Sequence, residues 1–178
     1  MNNQAIIFIL NRALKTLHLV ATGYNPLSGH LEADRGKGGS IWDGEFKSIE
    51  QIITLCETAE FKDVLPGQRG ALCFVFEDRH QVGEKVVSKV IEGEKYKIEK
   101  VHGMLQPVGN IETYSVPTNT FTICLTPESV KGYMEFALAS AYPGLPDNAA
   151  PIPDEYEGKE FDAKFIEENG WRPKAKVQ

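Results

Sequence analysis

The sequence is short of the features that most readily name a function. It has three cysteines, Cys56, Cys73 and Cys124, with no two close together. That excludes a disulfide framework and a zinc knuckle. Cysteines in apolar runs read as small buried side chains, and they point to a reducing, cytoplasmic compartment. The four histidines, His18, His30, His80 and His102, are scattered. Metal-ligand spacing is therefore missing, and no metal is expected. The apolar run Ala5 to Leu10 is far below the roughly 20 residues of a membrane helix, so no membrane partner is expected. Positive charge is also scarce. A net charge of −6 disfavours a general nucleic-acid coat and leaves room only for a local basic site. No lysine followed by Ser or Thr closes the glycine-rich segment Arg35 to Ser40, so a nucleotide loop is excluded and no cofactor is expected.

What remains is an ordinary globular composition over 178 residues, enough for one domain with its own core. Residues 1–172 read as a single α+β domain and residues 173–178 as a frayed tail. Asn3 is placed to cap a first helix, with Ile6, Leu10, Ala13, Leu14, Leu17 and Ala21 at helical spacing and Gly23 as the stop. Ser48 and Gln51 form a capping-box pattern for a second helix from Ser48 to Ala59. After Pro66-Gly67 the pattern turns to strand: Ala71 to Phe76, Lys85 to Ile91, Lys95 to Val101, Ile111 to Val116 and Thr120 to Leu125. Lys159 to Glu168 predicts a short helix with Phe161 and Phe165 facing inward. The expected fold is thus α+β, with N-terminal helices packed on a mostly antiparallel β-sheet and a short C-terminal helix. Met134 to Tyr142 is ambiguous. Thr126-Pro127-Glu128 is a good helix start, and local rules favour a helix there.

Several side chains have chemistry to offer. His102 ends an alternating strand and titrates near neutrality. Thr118, Thr120 and Thr122 share one strand face by alternation, with hydroxyls suited to a phosphate oxygen. Lys85, Lys89, Lys95, Lys97 and Lys100 interleave with glutamates, which makes a mixed solvated face rather than an RNA track.

Two resemblances bear on these residues. Leu17-His18, Thr22-Gly23-Tyr24 and Arg35 to Phe46 are similar to a stretch of cyclophilin prolyl isomerases. Leu19 stands where that family has its catalytic arginine, and isomerase activity is not expected. The second lies in residues 96–146. A strand leads to His102, then Val116-Pro117-Thr118-Asn119-Thr120-Phe121-Thr122-Ile123-Cys124-Leu125, then Ala137-Leu138-Ala139-Ser140-Ala141-Tyr142-Pro143-Gly144. This order resembles the terminal strands of ribonuclease-toxin domains of the barnase, EndoU, colicin and RelE type. The resemblance implies a strand at Met134 to Ala141 and a site face carrying His102, Thr120 and Tyr142.

The activity it implies is metal-independent cleavage of RNA by 2′-OH attack. His102 serves as base or acid, Tyr142 as its partner, and Thr120 donates to a nonbridging oxygen. Arg69, Arg79 or Lys100 supplies positive charge, and Thr118 and Thr122 line the substrate. The alternative is a non-enzymatic binding module for a protein partner, an inhibitor or adaptor, anchored by Tyr24 and Trp42. A third reading is a small-ligand binder at the Arg35 to Ser40 loop.

Overall fold

The fold is described for residues 2–15, 25–37, 39–67, 70–101, 103–146 and 149–176 of a computed structural model. The chain folds as two compact units, one made of residues 1–85 and 116–146 and the other of residues 86–115 and 147–178. Among the described residues, the strands form three sheets, two of four strands and one of three. Mixed helix and mostly antiparallel strand is the observed class, but where the sequence leads one to expect a single sheet, the described residues form three. Among the described residues, no helix is long and apolar enough to cross a membrane.

The first unit opens with α1 (Asn3–Leu14), which buries Ile6, Ile7, Leu10 and Ala13. Its cap is Asn2, whose side chain accepts from the Ala5 amide. Asn3, the expected cap, instead donates to the Ala59 carbonyl at 2.8 Å and the Cys56 carbonyl at 3.3 Å. Those carbonyls lie just past α2 (Ile49–Leu55), so one amide ties the two helices together. α2 starts as the sequence predicts, with the reciprocal Ser48–Gln51 capping box. The predicted continuation of the first helix, Leu17 to Gly23, lies outside the described residues.

β2 (Glu60–Pro66), β3 (Leu72–Glu77), β8 (Thr120–Val130) and β9 (Tyr133–Pro143) form the antiparallel sheet of this unit. Phe74, Phe76, Phe121, Ile123, Leu125 and Leu138 join Ile6, Leu10, Trp42 and Ile52 in one core. Residues 120–130 and 133–143 are therefore strand, which includes the strand at Met134 to Ala141 that the ribonuclease resemblance implies, and the local helix reading is overturned. The reason is the turn: Lys131 and Gly132 have φ of 49° and 82°, two successive left-handed residues that suit a two-residue hairpin. Pairing along the whole hairpin outweighs the capping signal at Thr126 to Glu128.

A bulge between Cys124 and Leu125 sets the faces of β9. Cys124 pairs with Ser140 and Leu125 with Leu138, which leaves Ala139 as the extra residue. Slipping by one reverses the side-chain faces. Leu138 and Ala141 are thereby both buried in the core, while Ser140 and Tyr142 lie across from Cys124 and Thr122.

In the second unit, β5 (Lys95–Val101) pairs antiparallel with β6 (Met104–Gly109) and β10 (Glu160–Asp162). Tyr96 and Ile98 face a small core with Ala163, Ile166 and Trp171. α3 (Ala163–Glu168) is the expected C-terminal helix, capped by Asp162. Phe161 and Phe165 stack with ring centroids 4.3 Å apart. Part of the stretch expected to fray is paired: β11 (Lys174–Ala175) lies parallel to Val108 and Gly109 of β6. The remaining strands are β1 (Ile41–Trp42), β4 (Gly83–Val90) and β7 (Ile111–Thr118), with Ile41 and Trp42 opposite Glu84 and Gly83.

Candidate active site

The sequence-predicted residues fall in separate places. His102 and Arg69 lie outside the described residues, as does Tyr24. Lys100 is exposed on the second unit, 3.8 Å from the Glu157 carboxylate. Arg79 is exposed in the loop after β3, beside the turn between β7 and β8. The Asp78 amide donates to the Asn119 carbonyl there at 2.8 Å. That turn breaks the expected run of threonines. Thr118 ends β7 and Thr120 begins β8, so the three do not share one strand. The Thr118 hydroxyl accepts from the Thr120 amide at 3.1 Å and is spent on shaping the turn. Thr122 is fully buried, and its hydroxyl donates to the Gly144 carbonyl at 2.7 Å. The Gly144 amide in turn donates to the Thr120 carbonyl at 2.7 Å. These bonds hold the Tyr142-Pro143-Gly144 turn down on β8.

Tyr142 is the predicted residue that gains company. It pairs with Thr122 on β8. Its hydroxyl is 3.6 Å from Cys124 Sγ, and its ring lies 5.4 Å from the ring of His30. His30 was among the scattered histidines and carried no sequence signal. It is positioned by an ordered loop. Asp34 accepts from the Gly29 and Leu31 amides, and the His30 amide donates to Leu27, which is fully buried. Gly29 has φ of 86°, a left-handed turn that favours glycine. The His30 carbonyl accepts from the Trp42 amide, and Trp42 Nε1 reaches across to donate to the Ala141 carbonyl at 3.0 Å. Loop and strand are thus stitched together next to Tyr142. Trp42 is fully buried, so it is a core residue and not the exposed anchor expected for a binding module.

The chemistry of the pair follows from its contacts. His30 Nδ1 is 2.8 Å from the Ser40 carbonyl. A carbonyl oxygen only accepts, so Nδ1 carries the proton and Nε2 carries the lone pair. Burial lowers the His30 pKa from its usual value, against the opposing pull of the Ser40 carbonyl and Asp34. His30 is a neutral base at pH 7. Tyr142 goes the other way: burial raises its pKa, and the charge of Cys124 raises it further. The tyrosine keeps its proton and is a donor. Gly39 makes the approach possible, since a Cβ there would sit 3.0 Å from the Gly29 carbonyl and 3.4 Å from His30 Nδ1. The stem of Lys85 lies beside Gly144.

The Arg35 to Ser40 loop is used differently from an anion nest. The Arg35 guanidinium pairs with Glu32 at 2.7 Å and Glu84 at 2.6 Å. Among the described residues, no group of three or more His, Cys, Asp or Glu side chains gathers to hold a metal. No family model, curated protein or solved structure matches the chain.

Proposed function

We propose that the protein is a metal-independent endoribonuclease whose acid–base pair is His30 and Tyr142. The observation that carries this reading is His30, pinned through Nδ1 to Ser40 and set beside Tyr142. The ribonuclease-type likeness of residues 96–146 supports it, and Tyr142 is the residue common to both arguments.

The step is a transesterification. His30 Nε2 takes the proton from the ribose 2′-OH, and the oxygen attacks the adjacent phosphorus. Tyr142 gives its proton to the departing 5′-oxygen. The products are a 2′,3′-cyclic phosphate and a free 5′-hydroxyl. Lys85 offers the positive charge that the phosphorane needs. Thr120 and Arg79 stay candidates for binding the rest of the strand. The test is an RNA carrying a single 2′-deoxy residue. Cleavage fails at that bond alone if the 2′-oxygen is the nucleophile, and cleavage there unchanged refutes the mechanism.

One observation favours the alternative of a binding module. Tyr133, Met134 and Phe136 are exposed at the end of β9, an outer strand of its sheet. An apolar outer strand can take on an added strand from a partner peptide. Tyr133→Lys with Met134→Lys abolishes such binding and leaves RNA cleavage unchanged, which separates the two readings.

A further inference from the structure

We propose that Cys73 and Cys124 are a dithiol that closes to a cross-strand disulfide on meeting a small hydroperoxide. The two residues are direct partners in the β3–β8 register, and their sulfurs lie 3.1 Å apart. Opposed residues in an antiparallel pair have Cα atoms roughly 4.5–5.5 Å apart. That falls inside the roughly 4.4–6.8 Å that a disulfide accepts, so side-chain rotation suffices and the strands need not move.

The two sulfurs are not equivalent. Cys73 lies under the backbone of Gly67, where a Cβ would come within 2.9 Å of its Sγ. Cys124 is the more open, at 8% against 3% exposure. Hydrogen bonds from Cys73, from the Tyr142 hydroxyl and from Ser140 stabilise its thiolate and lower its pKa, against the effect of burial. The bond to Cys124 pushes the Cys73 thiol upward, as does burial. The Tyr142 hydroxyl, 3.6 Å from the Cys124 sulfur, makes Cys124 the attacking sulfur and Cys73 the resolving one. The third cysteine, Cys56, sits in the core, and burial raises its pKa.

The chemistry balances with hydrogen peroxide as the oxidant. The Cys124 thiolate attacks one peroxide oxygen, the O–O bond breaks, and the leaving hydroxide takes a proton to become water. Cys124 is then a sulfenic acid. The Cys73 sulfur attacks it, the S–O bond breaks, and the oxygen leaves as a second water with the Cys73 proton. Two thiols are oxidised by two electrons and one peroxide is reduced. Both thiols are buried, so a small hydroperoxide reaches them more readily than a bulky disulfide does.

The test is peptide mapping without reductant after exposing the reduced native protein to hydrogen peroxide. The expected product joins Cys73 to Cys124 within one chain, leaves Cys56 free, and reverts with dithiothreitol. Its rate rises with pH as the attacking thiol ionises. In Cys73→Ser, dimedone traps a sulfenic acid at Cys124. Four results each overturn the proposal: oxidation of Cys56 first, a bridge between two chains, over-oxidation of Cys124 with Cys73 still reduced in the native protein, or no reaction.

Discussion

The imidazole of His30 lies 5.4 Å from the phenol of Tyr142, the two planes tilted by 37°, although the residues are far apart in the chain. Loop and strand meet there because Trp42 and Pro26 both bond to Ala141, at 3.0 Å each. Replacing Trp42 by Phe removes one of those bonds from the core and leaves the Ala141 carbonyl without its indole donor. The expected cost is about 1–3 kcal/mol. Urea denaturation measures it, and no change would mean that the stitch is dispensable.

Protonation of His30 sets a pH dependence of stability. Its pKa is lowered by burial from 6.5, so on acidification the unfolded chain takes up the proton first. Stability is full above 6.5, falls as pH drops below that value, and levels off beneath the folded pKa. His30→Gln flattens this window. Urea midpoints recorded across the window for both proteins give the comparison, and parallel curves would show that His30 is not the group responsible.

Gly39 is the clearance on which the position of His30 depends. Gly39→Ala places a methyl against the Gly29 carbonyl and His30 Nδ1. RNA cleavage is expected to fall about tenfold or more, as a small misplacement of a reacting group allows. The melting temperature moves little, because the loop is half-exposed. Full activity in this variant would show that His30 need not sit where it does.

Thr122 is a brace for the Tyr142-Pro143-Gly144 turn. Thr122→Val keeps the shape and removes the donor to Gly144, which costs about 1–3 kcal/mol. Thr122→Ser keeps the bond and loses less. If both variants unfolded at the same denaturant concentration as wild type, the brace would carry no weight.

The sequence made some of this legible. The Ser48–Gln51 box and the alternating strands are local signals that tertiary structure left in place. Residues 127–142 show the opposite: Thr126-Pro127-Glu128 reads as a helix start, and Gly132 was the informative residue as a hairpin turn. β2 carries charge and ends in Pro66, and β6 contains Pro107, so neither looks like a strand. Pro107 is accommodated because β11 pairs only from Val108 onward. The candidate site was half legible. Tyr142 stands out by its Tyr-Pro-Gly context, whereas His30 reaches it only through a loop folded by Asp34 and Trp42. Nothing local in the sequence connects the two. The Cys73–Cys124 pair was hidden for the same reason, since register across two strands is not written in either strand alone.

The central claim is tested most directly by incubating RNA and single-stranded DNA with wild type, His30→Gln, Tyr142→Phe and His102→Ala in the presence of EDTA. The account predicts RNA cleavage that survives chelation, leaves cyclic phosphate ends and spares DNA. It predicts a loss of about 10²–10⁴-fold in the His30 and Tyr142 variants. Cleavage unchanged in His30→Gln, cleavage of DNA, or no cleavage by wild type would contradict it.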